Sequence, residues 1–237
     1  MERTLHSWKS PSLGKKMDLL KFGNSGTPVI IFPSEEGSFS EWEDTGMIDS
    51  LNEQINEGYN QLFCVDSIAD ESLLNRNAEP NLRIRRQNLY EQYIIDEVVP
   101  FIKEQNSNPY LILSGAFLGA YYALLFALKH PQKINKVIGI SGTYNIKPYL
   151  DDFYDDSVYY NNPVDFLPNL NDRDTLKIIS EIDFRLLSYV NDPQRDISEK
   201  MSDTLWLKNI DHNFYIWDEK VSDPWNLVDS MFKEHLY

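Results

Sequence analysis

The chain is 237 residues long and carries 37 Asp and Glu against 22 Lys and Arg, a formal net charge of −15. With 42% hydrophobic and 13% aromatic residues it can bury a sizeable core, which excludes a disordered chain, while its acidic field repels nucleic acid and anionic membrane surfaces. One cysteine, Cys64, forms no intramolecular disulfide, no apolar run nears the roughly 18 residues of a membrane span, and residues 1–16 hold no apolar targeting segment, so a reducing cytoplasm is the expected location.

Short apolar runs alternate with stretches of helical period, the pattern of an α/β fold with a mostly parallel central sheet and helices on both faces. Residues 5–8 and 17–22 suit an antiparallel edge, and Pro28 to Pro33 reads as a buried strand. An amphipathic stretch, 46–58, a strand, 61–66, a loop, 67–81, and a long helix, 83–103, follow. Residues 110–114 read as a strand, 118–129 as a helix closed by His130-Pro131, and 136–141 as a strand. Residues 144–174, rich in Asp, Asn, Pro and Tyr, read as an excursion over the sheet end, before strands at 184–190 and 212–217 and helices at 196–208 and 224–236. No repeat or linker interrupts this order, so one domain over 1–237 is expected.

The segment Leu113-Ser114-Gly115-Ala116-Phe117-Leu118-Gly119 passes from strand through a tight turn into helix. Its glycines sit where G-x-S-x-G places them in a nucleophile elbow, a turn that holds its central residue in a strained conformation at the C-terminal edge of a sheet. Here the centre is Phe117, whose ring has neither a lone pair to attack a carbonyl nor a proton to give a base. Its ring is expected to lie across the pocket that such an elbow would otherwise border.

With the segments around it, the elbow resembles the bacterial putative-esterase family of α/β-hydrolases, related to S-formylglutathione hydrolases and mycolyltransferases. The likeness spans nearly the whole chain and rests on Ser7-Trp8-Lys9-Ser10-Pro11, Glu41-Trp42-Glu43-Asp44, Val65-Asp66-Ser67, the elbow, His130-Pro131, Ser141-Gly142-Thr143-Tyr144 and Asn161-Asn162-Pro163-Val164-Asp165. It implies an α/β-hydrolase fold with the site at the C-terminal strand ends. Family members carry a serine in the elbow, an acid after the penultimate core strand and a histidine in H-D-W-P-x-W after the last strand. Phe117 stands in the serine position and Asp192 in the acid position. His212 to Trp217 and Ser222-Asp223-Pro224-Trp225 each resemble the histidine pattern. Because His212 to Trp217 alternates like the last strand itself, Ser222 takes the histidine's place.

The resemblance also assigns the oxyanion donors, to Leu118 after the elbow and to the loop Ser34-Glu35-Glu36-Gly37. Carboxylates at Glu35 and Glu36 would oppose charge developing there unless both face water. Without a histidine to orient, Asp192 reads as a solvated loop residue or a helix N-cap. Asp151, Asp152, Asp155 and Asp156 lack dedicated calcium-loop spacing and read as a solvated acidic insert, and Arg83, Arg85 and Arg86 read as surface ion pairs. No zinc, phosphate-loop or dinucleotide motif occurs, so no cofactor or metal is expected. These readings describe an esterase-family homologue with its triad lost, retained to bind a small-molecule or protein ligand at the former active site. The alternative is an active carboxylic-ester hydrolase with a rearranged triad built on Ser114, Ser141 or Ser222.

Overall fold

The computed structural model describes residues 1–218 and 224–236. Eight strands form one sheet in the order β1-β2-β4-β3-β5-β6-β7-β8. They are β1 (Arg3–Lys9), β2 (Lys16–Phe22), β3 (Thr27–Phe32), β4 (Asn60–Val65), β5 (Ile112–Ala116), β6 (Lys136–Ile140), β7 (Asp183–Tyr189) and β8 (His212–Trp217). β1 and β2 are antiparallel to each other, β2 is antiparallel to β4, and β4 through β8 run parallel. The inner parallel strands β3 to β6 are mostly apolar because helices cover both their faces. One face packs Ile30, Phe32, Leu113, Val137 and Leu186 into the larger core. The other packs Val29, Ile31, Ile112, Ile138 and Leu187 into a second, the period-two alternation of a strand divided between two cores.

The amphipathic stretch after β3 is not one helix. Gly46 takes φ 80 and Gly58 φ 74, and between and before them the chain makes α1 (Glu41–Asp44), α2 (Met47–Ser50) and α3 (Asn52–Asn56). Their Trp42, Met47, Ile48 and Ile55 seal the second core together with α11 (Pro224–His235). The long helix expected at 83–103 starts earlier, as α4 (Pro80–Gln92), widens to a π-helical turn at Tyr93–Val98 and ends as α5 (Val99–Gln105). Pro100 lacks the amide that would bond the carbonyl of Asp96, and the ladder widens just ahead of it. α6 (Leu118–Lys129) is buried at eleven of its positions, as a central helix in the larger core must be.

β5 starts two residues later than the sequence suggests, since Tyr110 is exposed. The excursion holds the short helices α7 (Asp156–Tyr159), α8 (Pro163–Phe166) and α9 (Arg173–Ile179), and α10 (Arg195–Leu207) precedes β8. The excursion's aspartates Asp151, Asp152, Asp155 and Asp156 are exposed, whereas Asn161 and Asn162 are buried. Arg83 is buried too: its guanidinium donates to the carbonyls of Ala78 and Tyr149 and to Asp151 at 2.7 Å. Arg86 pairs with Glu71 at 2.6 Å. These arginines therefore fasten α4 to the excursion and to the segment after β4. Cys64, in β4 between Leu20 of β2 and Ile31 of β3, is buried, and burial pushes its thiol well above the usual range.

Candidate active site

Phe117 links β5 to α6 with φ 55 and ψ −115, a conformation that side-chain-bearing residues rarely adopt. The turn is this tight because of the flanking glycines. A Cβ on Gly115 would lie 2.5 Å from the carbonyl carbon of Gly119, and one on Gly119 would lie 2.4 Å from the carbonyl oxygen of Phe32. Strand, helix and the end of β3 thus touch backbone to backbone. The Phe117 amide donates to the Ile140 carbonyl at 2.9 Å, and its own carbonyl accepts from Thr143 at 3.3 Å. The half-buried ring packs on the second core and meets Trp225 of α11 edge to face, with centroids 6.1 Å apart.

Asp192 lies just past β7 and is buried, not solvated. Its Oδ1 accepts the Ser141 hydroxyl at 2.6 Å and the Gln194 amide at 2.8 Å, and its Oδ2 accepts the Ser188 hydroxyl at 2.8 Å. It does not cap α10, whose cap is Gln194. Ser141 and Ser188 follow the last pair of the ladder between β6 and β7, Ile140 and Leu187, so the parallel register brings both hydroxyls to one carboxylate. Ser141 also takes φ 51, a left-handed backbone beside a buried acid. The sequence reading missed this cluster; its signal is a serine at the C-terminal edge of each of two adjacent strands, just after β6 and next to last in β7.

On the oxyanion side, Leu118 is the first residue of α6, so its amide falls outside the helix ladder. The opposite donor is taken. The Ser34 amide donates to Glu41 Oε2 at 2.8 Å, and the Ser34 hydroxyl donates to the other oxygen of the same carboxylate. Burial raises the Glu41 pKa, partly countered by these two bonds. A carboxylate therefore faces the loop donor, but it comes from Glu41 and not from Glu35 or Glu36. Glu36 is exposed and Glu35 half-buried, with the Tyr149 hydroxyl 3.4 Å from it. Both border a cleft of about 650 Å³ that also has Asp66, Asp70, Lys15 and Arg76 on its walls.

None of the four histidines stands at the elbow. His6 lies on β1 against Phe101, His130 bonds Glu91 at 2.7 Å, and His235 of α11 stacks on Tyr215. Burial lowers the pKa of both His6 and His235. The Ser–His contact found among the described residues joins Ser202 Oγ and His212 Nε2 at 2.7 Å, with Nδ1 3.0 Å from the Ile210 carbonyl. His212 opens β8, whereas the elbow closes β5, so in a parallel sheet the two occupy opposite rims. The Ser114 hydroxyl donates to the Ile138 carbonyl within the sheet. Ser222 lies outside the described residues. Among the described residues, no group of three or more His, Cys, Asp or Glu side chains is placed to hold a metal, and no helix is long and apolar enough to cross a membrane.

The mostly parallel sheet, its two helical layers and the strand–turn–helix elbow define an α/β-hydrolase. Residues 65–236 match the family described as "Putative esterase", and the chain belongs to that family. Among solved structures it is similar to a ferulic acid esterase, with 14% identity, a TM-score of 0.79 and coverage of 99% of this chain and 96% of that one. An S-formylglutathione hydrolase of Staphylococcus aureus matches with 13% identity, a TM-score of 0.70 and coverage of 98% and 96%. MPT51 (FbpC1) of Mycobacterium tuberculosis matches with 13% identity, a TM-score of 0.71 and coverage of 99% and 97%. At these identities the likeness is one of fold. No curated protein matches the sequence.

Proposed function

We propose that this chain is a non-catalytic member of the esterase family, a single domain that keeps the scaffold to bind a small-molecule or protein ligand beside the former active site. The observation that carries this reading is Phe117: the residue held at the elbow offers no nucleophile, and its ring is engaged with Trp225. Two arrangements support it. The Ser34 amide is bonded to Glu41, and losing one oxyanion donor costs a hydrolase about 2.7–4 kcal/mol of transition-state stabilisation. The Asp192 carboxylate accepts from two serines and an amide, whereas a triad acid would hold an imidazole.

The neighbouring cleft, about 650 Å³ with carboxylates, Lys15 and Arg76 on its walls, offers a polar ligand room. The buried, reduced Cys64 fits a cytoplasmic protein. The test is hydrolysis of p-nitrophenyl acetate and butyrate, for which the rate with protein should equal that of buffer alone. Turnover abolished by Ser114→Ala, Ser141→Ala or Ser222→Ala would overturn the proposal in favour of a carboxylic-ester hydrolase with a rearranged triad.

A further inference from the structure

Among the described residues, β8 ends the sheet, paired with β7 on one side only. An edge strand leaves a row of amides and carbonyls open to another chain, and proteins ordinarily blunt such edges with charge, proline or bulges. The opposite edge follows that rule: β1 carries exposed Arg3 and Lys9. β8, His212-Asn213-Phe214-Tyr215-Ile216-Trp217, has no Lys, Arg, Asp, Glu, proline or glycine.

The edge is apolar on both faces. Ile216, 40% exposed, shares the α10 face with Phe214, which packs on the larger core. On that face Trp206, 55% exposed, stacks on the His212 ring at 4.6 Å, and Leu207 beside it is 79% exposed. Tyr215, on the other face, is 38% exposed and lies 4.5 Å from the His235 ring of α11. Both strand ends are acidic. A cleft of about 250 Å³ at the His212 end has Glu181 and Asp211 on its rim, and one of about 430 Å³ at the Trp217 end has Asp218 and Glu234.

We propose that β8 accepts an extended segment of a partner protein as a ninth strand, apolar in its middle and carrying a Lys or Arg at each end. Backbone bonds along the edge would supply affinity, and the flanking acids would select the cations. Asp211 and Asp218 lie seven residues apart, about 23 Å along an extended chain, so the partner's cations should also be seven residues apart. A second copy of this chain fits worse. Antiparallel two-fold pairing that sets His212 against Trp217 also sets Asp211 against Asp218 at both ends, between chains that each carry −15.

The probe is the capped peptide Lys-Val-Thr-Val-Tyr-Val-Thr-Lys, titrated calorimetrically into the full chain at low salt. It should bind, and its Glu-for-Lys counterpart should bind about tenfold more weakly, a difference of about 1.4 kcal/mol shared between the two ends. A version N-methylated along one edge should not bind. Asp218→Lys, an exposed change, should weaken the Lys peptide and strengthen the Glu peptide, and Ile216→Lys should abolish binding while the circular dichroism spectrum is kept. No binding of the Lys peptide to the wild-type chain, equal binding of the two peptides, or indifference to Asp218→Lys would each overturn the proposal. So would sedimentation as a dimer that Ile216→Lys dissociates, because the occupant of the edge would then be a second copy.

Discussion

Phe117 sits where its backbone resists it and its side chain rewards it. The left-handed φ of 55 costs a residue with a Cβ about 1–3 kcal/mol, and packing on Trp225 and the second core offsets that cost. Phe117→Ala keeps the strain and loses the packing, whereas Phe117→Gly loses both. The glycine variant should therefore unfold at higher urea than the alanine variant, by about 1 kcal/mol, reversing the usual preference for alanine. Equal midpoints would show that the turn is not strained. Restoring chemistry should be harder than restoring a hydroxyl. Phe117→Ser alone should leave p-nitrophenyl acetate untouched, because an unassisted serine is a weak nucleophile. Phe117→Ser with Ser222→His adds a base and should give weak turnover, with a strongly non-additive pair. Substantial activity in the single variant would reveal a base already in reach.

Glu91 ties α4 to the end of α6, accepting from His130 at 2.7 Å and from Lys129. Burial alone would raise its pKa, but the bonds to His130 and Lys129 outweigh burial and hold it below the usual range. A carboxyl depressed in the folded state stabilises fully above its unfolded pKa of about 4.3, and that contribution fades as pH falls through the lower folded value. Glu91→Gln should thus cost about 1.5–3 kcal/mol at pH 7, with the gap to wild type closing toward pH 3 in urea titrations; a constant gap would mean that the carboxylate's charge contributes nothing. Elements of this kind were only partly legible. The strands and α6 follow from apolar runs and the elbow glycines, because burial on both faces writes itself into composition. Pro100's effect on the helix could be read locally but not its π-helical outcome. Ser141 on Asp192 was not legible, since their approach is set by strand order and register, and Glu41 on Ser34 was not, since it depends on how the loop between them closes.

At the scale of the whole molecule, a single sheet separates two cores, and every strand from β2 to β7 has a neighbour on both sides. Cys64 belongs to the second core, with β2 on one flank of its strand and β3 on the other. Side chains stand perpendicular to a sheet, so a thiol reagent reaches its sulfur only when the helices sealing the second core lift away or the whole fold opens. The lone thiol is therefore a built-in clock for opening of that core. In native buffer its labelling by a disulfide reagent should be slower than that of a free thiol by a factor of about 10⁴ to 10⁷, the range set by a stability of about 5–10 kcal/mol. The rate should climb with urea along the same slope as global unfolding, whereas labelling indifferent to urea would place the weak seam at the helices over the second core. One reactive atom, needing no engineered probe, thus times how often that core opens.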